Sequence, residues 1–170
     1  MSFTLRPMQH ADLAQVAAIA AACPEAPQWP QSIYASYLPS QVEPPISRTA
    51  VVAVEDDAVL AFVCATLLLD GTQNLCQLDS MAVHLSARRR GIGAALLRAI
   101  LAWAAQNGAR HFSLEVRASN APAIALYHHF GLRQEGRRPR YYAHPEEDAL
   151  ILGMPITAGS PHDVFHVKNG

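Results

Sequence analysis

Apolar residues recur along this chain with two periods, and the switch between them divides it into elements. Phe3–Pro7 reads as a short strand. Leu13, Val16, Ala17, Ile19 and Ala20 return at helical spacing and predict a helix over His10–Ala22. A Pro-rich turn at Cys23–Pro30 precedes a short helix over Gln31–Leu38, and Pro39–Ser47 reads as a loop. Thr49–Glu55 and Val59–Leu69 are apolar runs around Asp56-Asp57-Ala58, the pattern of a hairpin. Asp70-Gly71-Thr72 is a second turn, followed by a strand over Asn74–Val83.

The second half is more regular. Ile92, Leu96, Leu97, Ile100, Leu101 and Ala104 define one face of a helix over Ile92–Gln106, and Gly108 stops it. Phe112, Leu114 and Val116 alternate in a strand over His111–Val116. Ser119 or Asn120 caps a helix that carries Pro122 in its first turn and ends before Gly131. A strand near Leu132–Gly136, a loop over Pro139–Glu147 and a strand over Ala149–Met154 close the pattern. The expected organisation is one domain over residues 1–156 and a flexible tail over 157–170 rich in Gly, Ser, Pro and His.

Composition narrows the class. A chain of 170 residues, 51% hydrophobic and 16% charged, can bury a core without a disulfide or metal staple. The net charge of −1 speaks against a duplex-binding protein. The charge is uneven: residues 1–85 hold 2 basic and 8 acidic side chains, residues 86–170 hold 11 and 6. Most of the basic excess is arginine, in the clusters Arg88, Arg89, Arg90 and Arg133, Arg137, Arg138, Arg140. No basic start with an apolar run marks a signal peptide, and Ala11–Cys23 is too short to span a bilayer. Three widely spaced cysteines without a C-x-x-C suggest neither zinc nor a disulfide framework, and a reduced, cytoplasmic setting is expected. The eight histidines show no ligand spacing, so no metal is expected. His128 and His129 are read as one buried and one exposed.

Candidate chemistry concentrates in two places. Arg88-Arg89-Arg90-Gly91-Ile92-Gly93 lies between a strand and a long helix. Glycines there permit close backbone approach, and the free N–H groups of a helix start bind anions. The Gly-Lys-Ser/Thr ending of a P-loop is missing, and Leu96 stands where a dinucleotide fingerprint needs its third glycine. A pyrophosphate of another kind is the expected ligand. The second place is Leu114-Glu115-Val116-Arg117-Ala118-Ser119-Asn120 with its following helix. Glu115 is a carboxylate in an apolar strand, which needs a partner or a wet cavity. Asn120, Ala123 and Tyr127 share one helix face near the end of that strand. The plainer readings are an outward-facing Glu115 and a core-packing Tyr127.

The order Arg-x-x-Gly-x-Gly, long helix, strand, Asn-x-x-Ala-x-x-x-Tyr and Gly131-Leu132 resembles the GCN5-related N-acetyltransferases. Leu-Glu-Val-Arg-x-Ser-Asn, with Tyr141-Tyr142 and Glu147-Asp148-Ala149, resembles the RimI type among them, which acetylates the N-terminal alanine of a ribosomal protein. The resemblance covers about residues 3–156. It implies a mixed α/β fold: a largely antiparallel sheet of about seven strands flanked by helices, in which the strand ending near Val83 and the strand His111–Val116 are neighbours and splay apart at the acetyl-CoA site.

The resemblance also implies roles. Backbone N–H groups of Arg88, Arg89, Arg90, Gly91, Ile92, Gly93 and Ala94 would cradle the acetyl-CoA pyrophosphate. Met81, Ala82 and Val83 would run beside the pantetheine arm, with Asn120 and Ala123 facing it from the helix. Glu115 matches the general base and Tyr127 the general acid, in a direct attack within a ternary complex. Tyr141 and Tyr142 would line the peptide entry, with Trp29 and Asp79 near the acceptor. Pro27-Gln28-Trp29-Pro30, Asp79-Ser80 and Leu132 depart from the family pattern. The implied acceptor is a protein N-terminal α-amine. The alternatives are a small-molecule amine (a polyamine, amino acid or drug) and a non-catalytic acyl-CoA sensor. No nucleic acid or membrane partner is expected, and the chain is read as a monomer or a homodimer. A covalent route would need an activated cysteine, and nothing in the pattern activates Cys76.

Overall fold

A computed structural model describes residues 2–39 and 44–157. The tail beyond residue 157 and the middle of the Pro39–Ser47 loop lie outside the described residues. The strands are β1 Thr4–Pro7, β2 Ile46–Glu55, β3 Ala58–Leu68, β4 Leu75–Val83, β5 His111–Arg117, β6 Arg133–Ala143 and β7 Glu146–Pro155. The helices are α1 Leu13–Ala21, α2 Gln31–Ala35, α3 Ile92–Gln106 and α4 Ala121–His129.

The seven strands form one sheet in the order β1-β2-β3-β4-β5-β7-β6. Every neighbouring pair is antiparallel except β4 and β5, which are parallel. A parallel pair needs a crossover, and α3 supplies it. The sheet carries a buried cluster on each face. Ala61, Val63, Ala65 and Leu67 of β3 pack with the α3 residues Ile92, Leu96, Leu97, Ile100, Leu101 and Ala104. Phe62 and Cys64, pointing the other way, pack with α1 and α2. An apolar run without polar alternation is what a central strand buried on both faces requires.

Asp12 ties the first helix to the sheet. Its carboxylate is buried and receives Arg6 Nη1 and Nη2 at 2.6 and 2.9 Å and the Gln9 N–H at 2.7 Å. Arg6 lies on β1, so the turn before α1 is pinned to the edge strand. The arginine hydrogen bonds hold the Asp12 carboxyl below its usual range.

Three expectations change. The segment Pro139–Glu147 is a hairpin rather than a loop: β6 continues to Ala143 and β7 begins at Glu146. Pro139 sits in a register shift of an edge strand, where its missing N–H costs no ladder bond. The second helix stops at Ala35. The next three residues, Ser36, Tyr37 and Leu38, donate turn-like hydrogen bonds to Ile33, Tyr34 and Ala35. His128 and His129 are both exposed, because α4 packs on the sheet through Tyr127 and its apolar neighbours at the helix end.

Candidate active site

The site begins where the ladder stops. β4 and β5 pair over Leu75–Leu78 and His111–Leu114. Both strands run on, to Val83 and Arg117, without pairing to each other. On its other side β4 stays paired to β3 through Ala61 and Val83. A register shift after Cys64 leaves Asp79 as the extra residue of a bulge, at the point where the strands part. His84 donates its N–H to Leu60 on β3. Alternation along the strand then turns the backbone of Ala82 toward β3 and that of Met81 and Val83 toward the gap. The Ala82 side chain is buried in the α1/α2 cluster.

At the end of the gap stands the N-terminus of α3. Arg89 and Gly91 both adopt left-handed φ, at 63° and 78°. This geometry turns successive N–H groups into one concavity. No side chain caps α3, and among the described residues nothing accepts from the N–H groups of Ile92, Gly93 and Ala94. The contrast with α4 is direct: there Asn120 Oδ1 accepts from the Ala123 N–H at 3.3 Å and fills the terminus. A bare terminus carries the positive end of the helix dipole and suits an anion. Arg88 Nε donates to the Val83 carbonyl at 3.3 Å, and Arg89 is exposed. Arg90 is committed elsewhere, to a two-point ion pair with Glu55 at 3.1 and 2.7 Å.

The β5 side of the gap holds the titratable groups. Phe112, Leu114 and Val116 bury their side chains on the α3 face, so Glu115 lies on the opposite face. Glu115 Oε1 receives Arg138 Nε at 2.6 Å. Tyr141 faces the same carboxylate, whose proximity pushes its hydroxyl up. Tyr142 packs edge-on against Tyr141, with ring centroids 5.1 Å apart, and lies under the Arg117 guanidinium at 4.1 Å. Burial pushes Tyr142 up to about 12. Tyr127 is buried, and burial raises its hydroxyl far above the ordinary tyrosine value. It makes no side-chain hydrogen bond among the described residues. Asn120 lies at the start of the same helix, and among the described residues its amide nitrogen has no acceptor.

Trp29 and Asp79 belong to a third group. Trp29 stacks on Tyr37 at 6.1 Å and tilts against Tyr34 at 5.4 Å. Tyr37 donates to Asp79 Oδ2 at 2.9 Å, and Thr66 donates to the same oxygen at 2.6 Å. The structure therefore brings Glu115, Tyr141 and Tyr142 together, places Tyr127 beside Tyr142, and sets Asp79 with Trp29 on the other wall. Sequence reasoning missed Arg138 as the partner of Glu115, and Tyr37 with Thr66 as partners of Asp79. Their separations of 23, 42 and 13 residues carry no local signal.

The cysteines do not compete for the chemistry. All three are free and buried, and burial pushes the Cys76 thiol up to about 12, which suppresses the thiolate. Among the described residues no cluster of His, Cys, Asp and Glu could hold a metal ion. No described helix is long and apolar enough to cross a membrane.

Comparison with known proteins agrees with this geometry. The sequence profile described as the acetyltransferase (GNAT) family matches residues 13–132. The [ribosomal protein bS18]-alanine N-acetyltransferase of Salmonella typhimurium is 38% identical over 104 residues, covering 60% of this chain and 68% of that protein. A putative enzyme of the same name from Bacillus subtilis is 35% identical over 103 residues, which is 61% of this chain and 66% of that one. The crystal structure of the ribosomal-protein-S18-alanine N-acetyltransferase from Escherichia coli superposes with a TM-score of 0.75 at 27% identity, covering 94% of this chain and 97% of that one.

Proposed function

The chain belongs to the acetyltransferase (GNAT) family, and from that premise we propose that it transfers the acetyl group of acetyl-CoA to the α-amine at a protein N-terminus. The observation that carries this reading is the parting of β4 and β5 after Leu78 and Leu114, which opens a gap between an uncapped helix terminus and Glu115. The named activity of the Salmonella typhimurium and Escherichia coli relatives supports the same acceptor.

The residues present fit acetyl-CoA. The bare N–H groups of Ile92, Gly93 and Ala94 suit a pyrophosphate, and the backbone of Met81 and the Val83 N–H, which face the gap, suit an amide-bearing arm. Asn120 offers its free amide N–H from the opposite side. When bound, acetyl-CoA supplies the acyl group as a thioester.

The chain's own task is to manage protons. An attacking amine must be neutral. An α-amine titrates near ~8 and a lysine near ~10.4, so deprotonating the α-amine costs roughly 3.4 kcal/mol less. One positioned carboxylate is then enough. Glu115 takes the ammonium proton, directly or through water, once the acceptor displaces or shares the Arg138 contact. Tyr127, held neutral by burial, donates its proton to the leaving sulfur. Tyr141 and Tyr142 flank the entry, and a reducing, cytoplasmic setting suits the three free cysteines.

The test is release of free CoA thiol from acetyl-CoA. The acceptors are a short peptide starting Ala-Arg, the same peptide with a blocked N-terminus and one free lysine, spermidine, and buffer alone. Release only with the free N-terminus is expected. Release with spermidine alone would move the acceptor to small amines, and silence despite tight acetyl-CoA binding would leave a sensor.

A further inference from the structure

Asp79 is a half-buried carboxylate that the mechanism above leaves unused. It occupies the bulge of β4, one residue beyond the last β4–β5 pair. It shares a sheet face with Glu115, because its partners Tyr37 and Thr66 lie on the side of α1 and α2, away from α3. Both hydroxyl donors converge on one oxygen, Oδ2, at 2.9 and 2.6 Å. The other oxygen has no protein donor among the described residues, and the residue is half-buried rather than buried. Among the described residues Asp79 has no ion pair. Arg48 is the charge that acts on it, and its guanidinium stands over the Tyr37 ring, 5.6 Å from the centroid, rather than on the carboxylate. The stacked rings of Tyr37 and Trp29 add an apolar wall. A carboxylate with one oxygen clamped and one without a protein donor, beside aromatic rings where two strands part, has the chemistry to receive a cation of ammonium size.

We propose that Asp79 determines acceptor specificity by receiving the charged α-ammonium group of the incoming peptide on its other oxygen, before Glu115 removes the proton. This rests on the acetyl-transfer reading. Asp79 selects and positions the amine, and Glu115 remains the base. The proton leaves the nitrogen for a Glu115 oxygen, so Asp79 ends each turnover as it began.

The experiment compares two peptides: the Ala-Arg-starting peptide and its analogue with hydrogen in place of the α-amine. Wild type should bind the amino peptide about tenfold more tightly, the scale of one charge-assisted hydrogen bond. Asp79→Asn keeps the shape and an acceptor oxygen for Tyr37 and Thr66. It should raise KM for the amino peptide by about tenfold. Inhibition by the des-amino analogue, KM for acetyl-CoA and kcat at saturation should stay unchanged. Equal losses for both peptides would mean a merely structural role and overturn the proposal. So would an unchanged KM, or a collapse of kcat that made Asp79 the base. Should Asp79→Asn fail to fold, equal binding of the two peptides by wild type would still overturn the idea. Wild type that acetylates no amine would sink the acetyl-transfer reading and this proposal together. A KM for the amino peptide unaffected by Asp79→Asn, in an enzyme that does acetylate it, would sink the proposal alone.

Discussion

At the scale of single residues, the proposed chemistry depends on two side chains in opposite environments. Glu115 is part-exposed and is held by Arg138 at 2.6 Å. Glu115→Gln should lower kcat by about 10²–10⁴-fold while leaving KM for acetyl-CoA unchanged, as steady-state rates with a peptide acceptor would report. A wild-type rate across pH would remove the base. Tyr127 is the converse case. Burial raises its hydroxyl, so the group stays protonated as pH rises past about 10, the ordinary tyrosine value. A rate-versus-pH profile should therefore show no alkaline fall from Tyr127 below that pH. Tyr127→Phe should lower kcat at every pH measured, and a variant at wild-type rate would exclude Tyr127 as the acid. The sequence singled out both residues, one as an acid among alternating apolar residues, the other by helical spacing after Asn120, and their proposed roles came from the family resemblance. Their neighbours were not legible there: Arg138 reaches Glu115 only because β6 and β5 both flank β7.

At the scale of elements, the start of α3 is the proposed donor site, and its two glycines have different backbone conformations. Gly91 has φ +78°, which a side chain strains, although a Cβ there would meet nothing within 4 Å. Gly91→Ala should cost about 1–2 kcal/mol in thermal or urea unfolding. Gly93 has ordinary helical backbone, and its Cβ would sit at van der Waals distance from Leu126 and Val83, at 3.6 and 3.9 Å. The protein alone gives no reason for glycine there. Gly93→Ala should therefore melt like wild type while raising KM for acetyl-CoA, because the added methyl occupies the approach to the free N–H groups. A Gly93→Ala enzyme with unchanged KM would show that the phosphates bind elsewhere. α3 itself was readable to both ends, since one apolar face and a following Gly108 leave little ambiguity. The β6–β7 hairpin was not, because Pro139 and a run of arginines imitate a loop. Only pairing with β7, with Arg137 on Asp148, shows an edge strand.

At the scale of the whole molecule, the sheet order makes the cleft. Among the described strands the one parallel pair lies at its centre, where a crossover helix must arrive, and the two strands part just beyond it. Ligand bound across that gap would bridge the two halves of the sheet. Acetyl-CoA at about a hundred times its Kd should then stabilise the fold by about 2.7 kcal/mol, a rise in Tm of about 5–10 °C. A Tm that does not respond would contradict a site built across the gap.

What the sequence determined by itself is local: the helical face of α3, the alternation of β5, the turns and stops, and the candidate chemistry of the arginine–glycine loop and of Glu115. Each follows from spacing within a few residues, which backbone geometry converts directly into a face or a terminus. Where the strands part, which arginine meets Glu115, and the clamping of Asp79 by Tyr37 and Thr66 were decided by the tertiary structure. Those features depend on strand register and on one bulged residue, and register is a property of paired strands rather than of either strand alone.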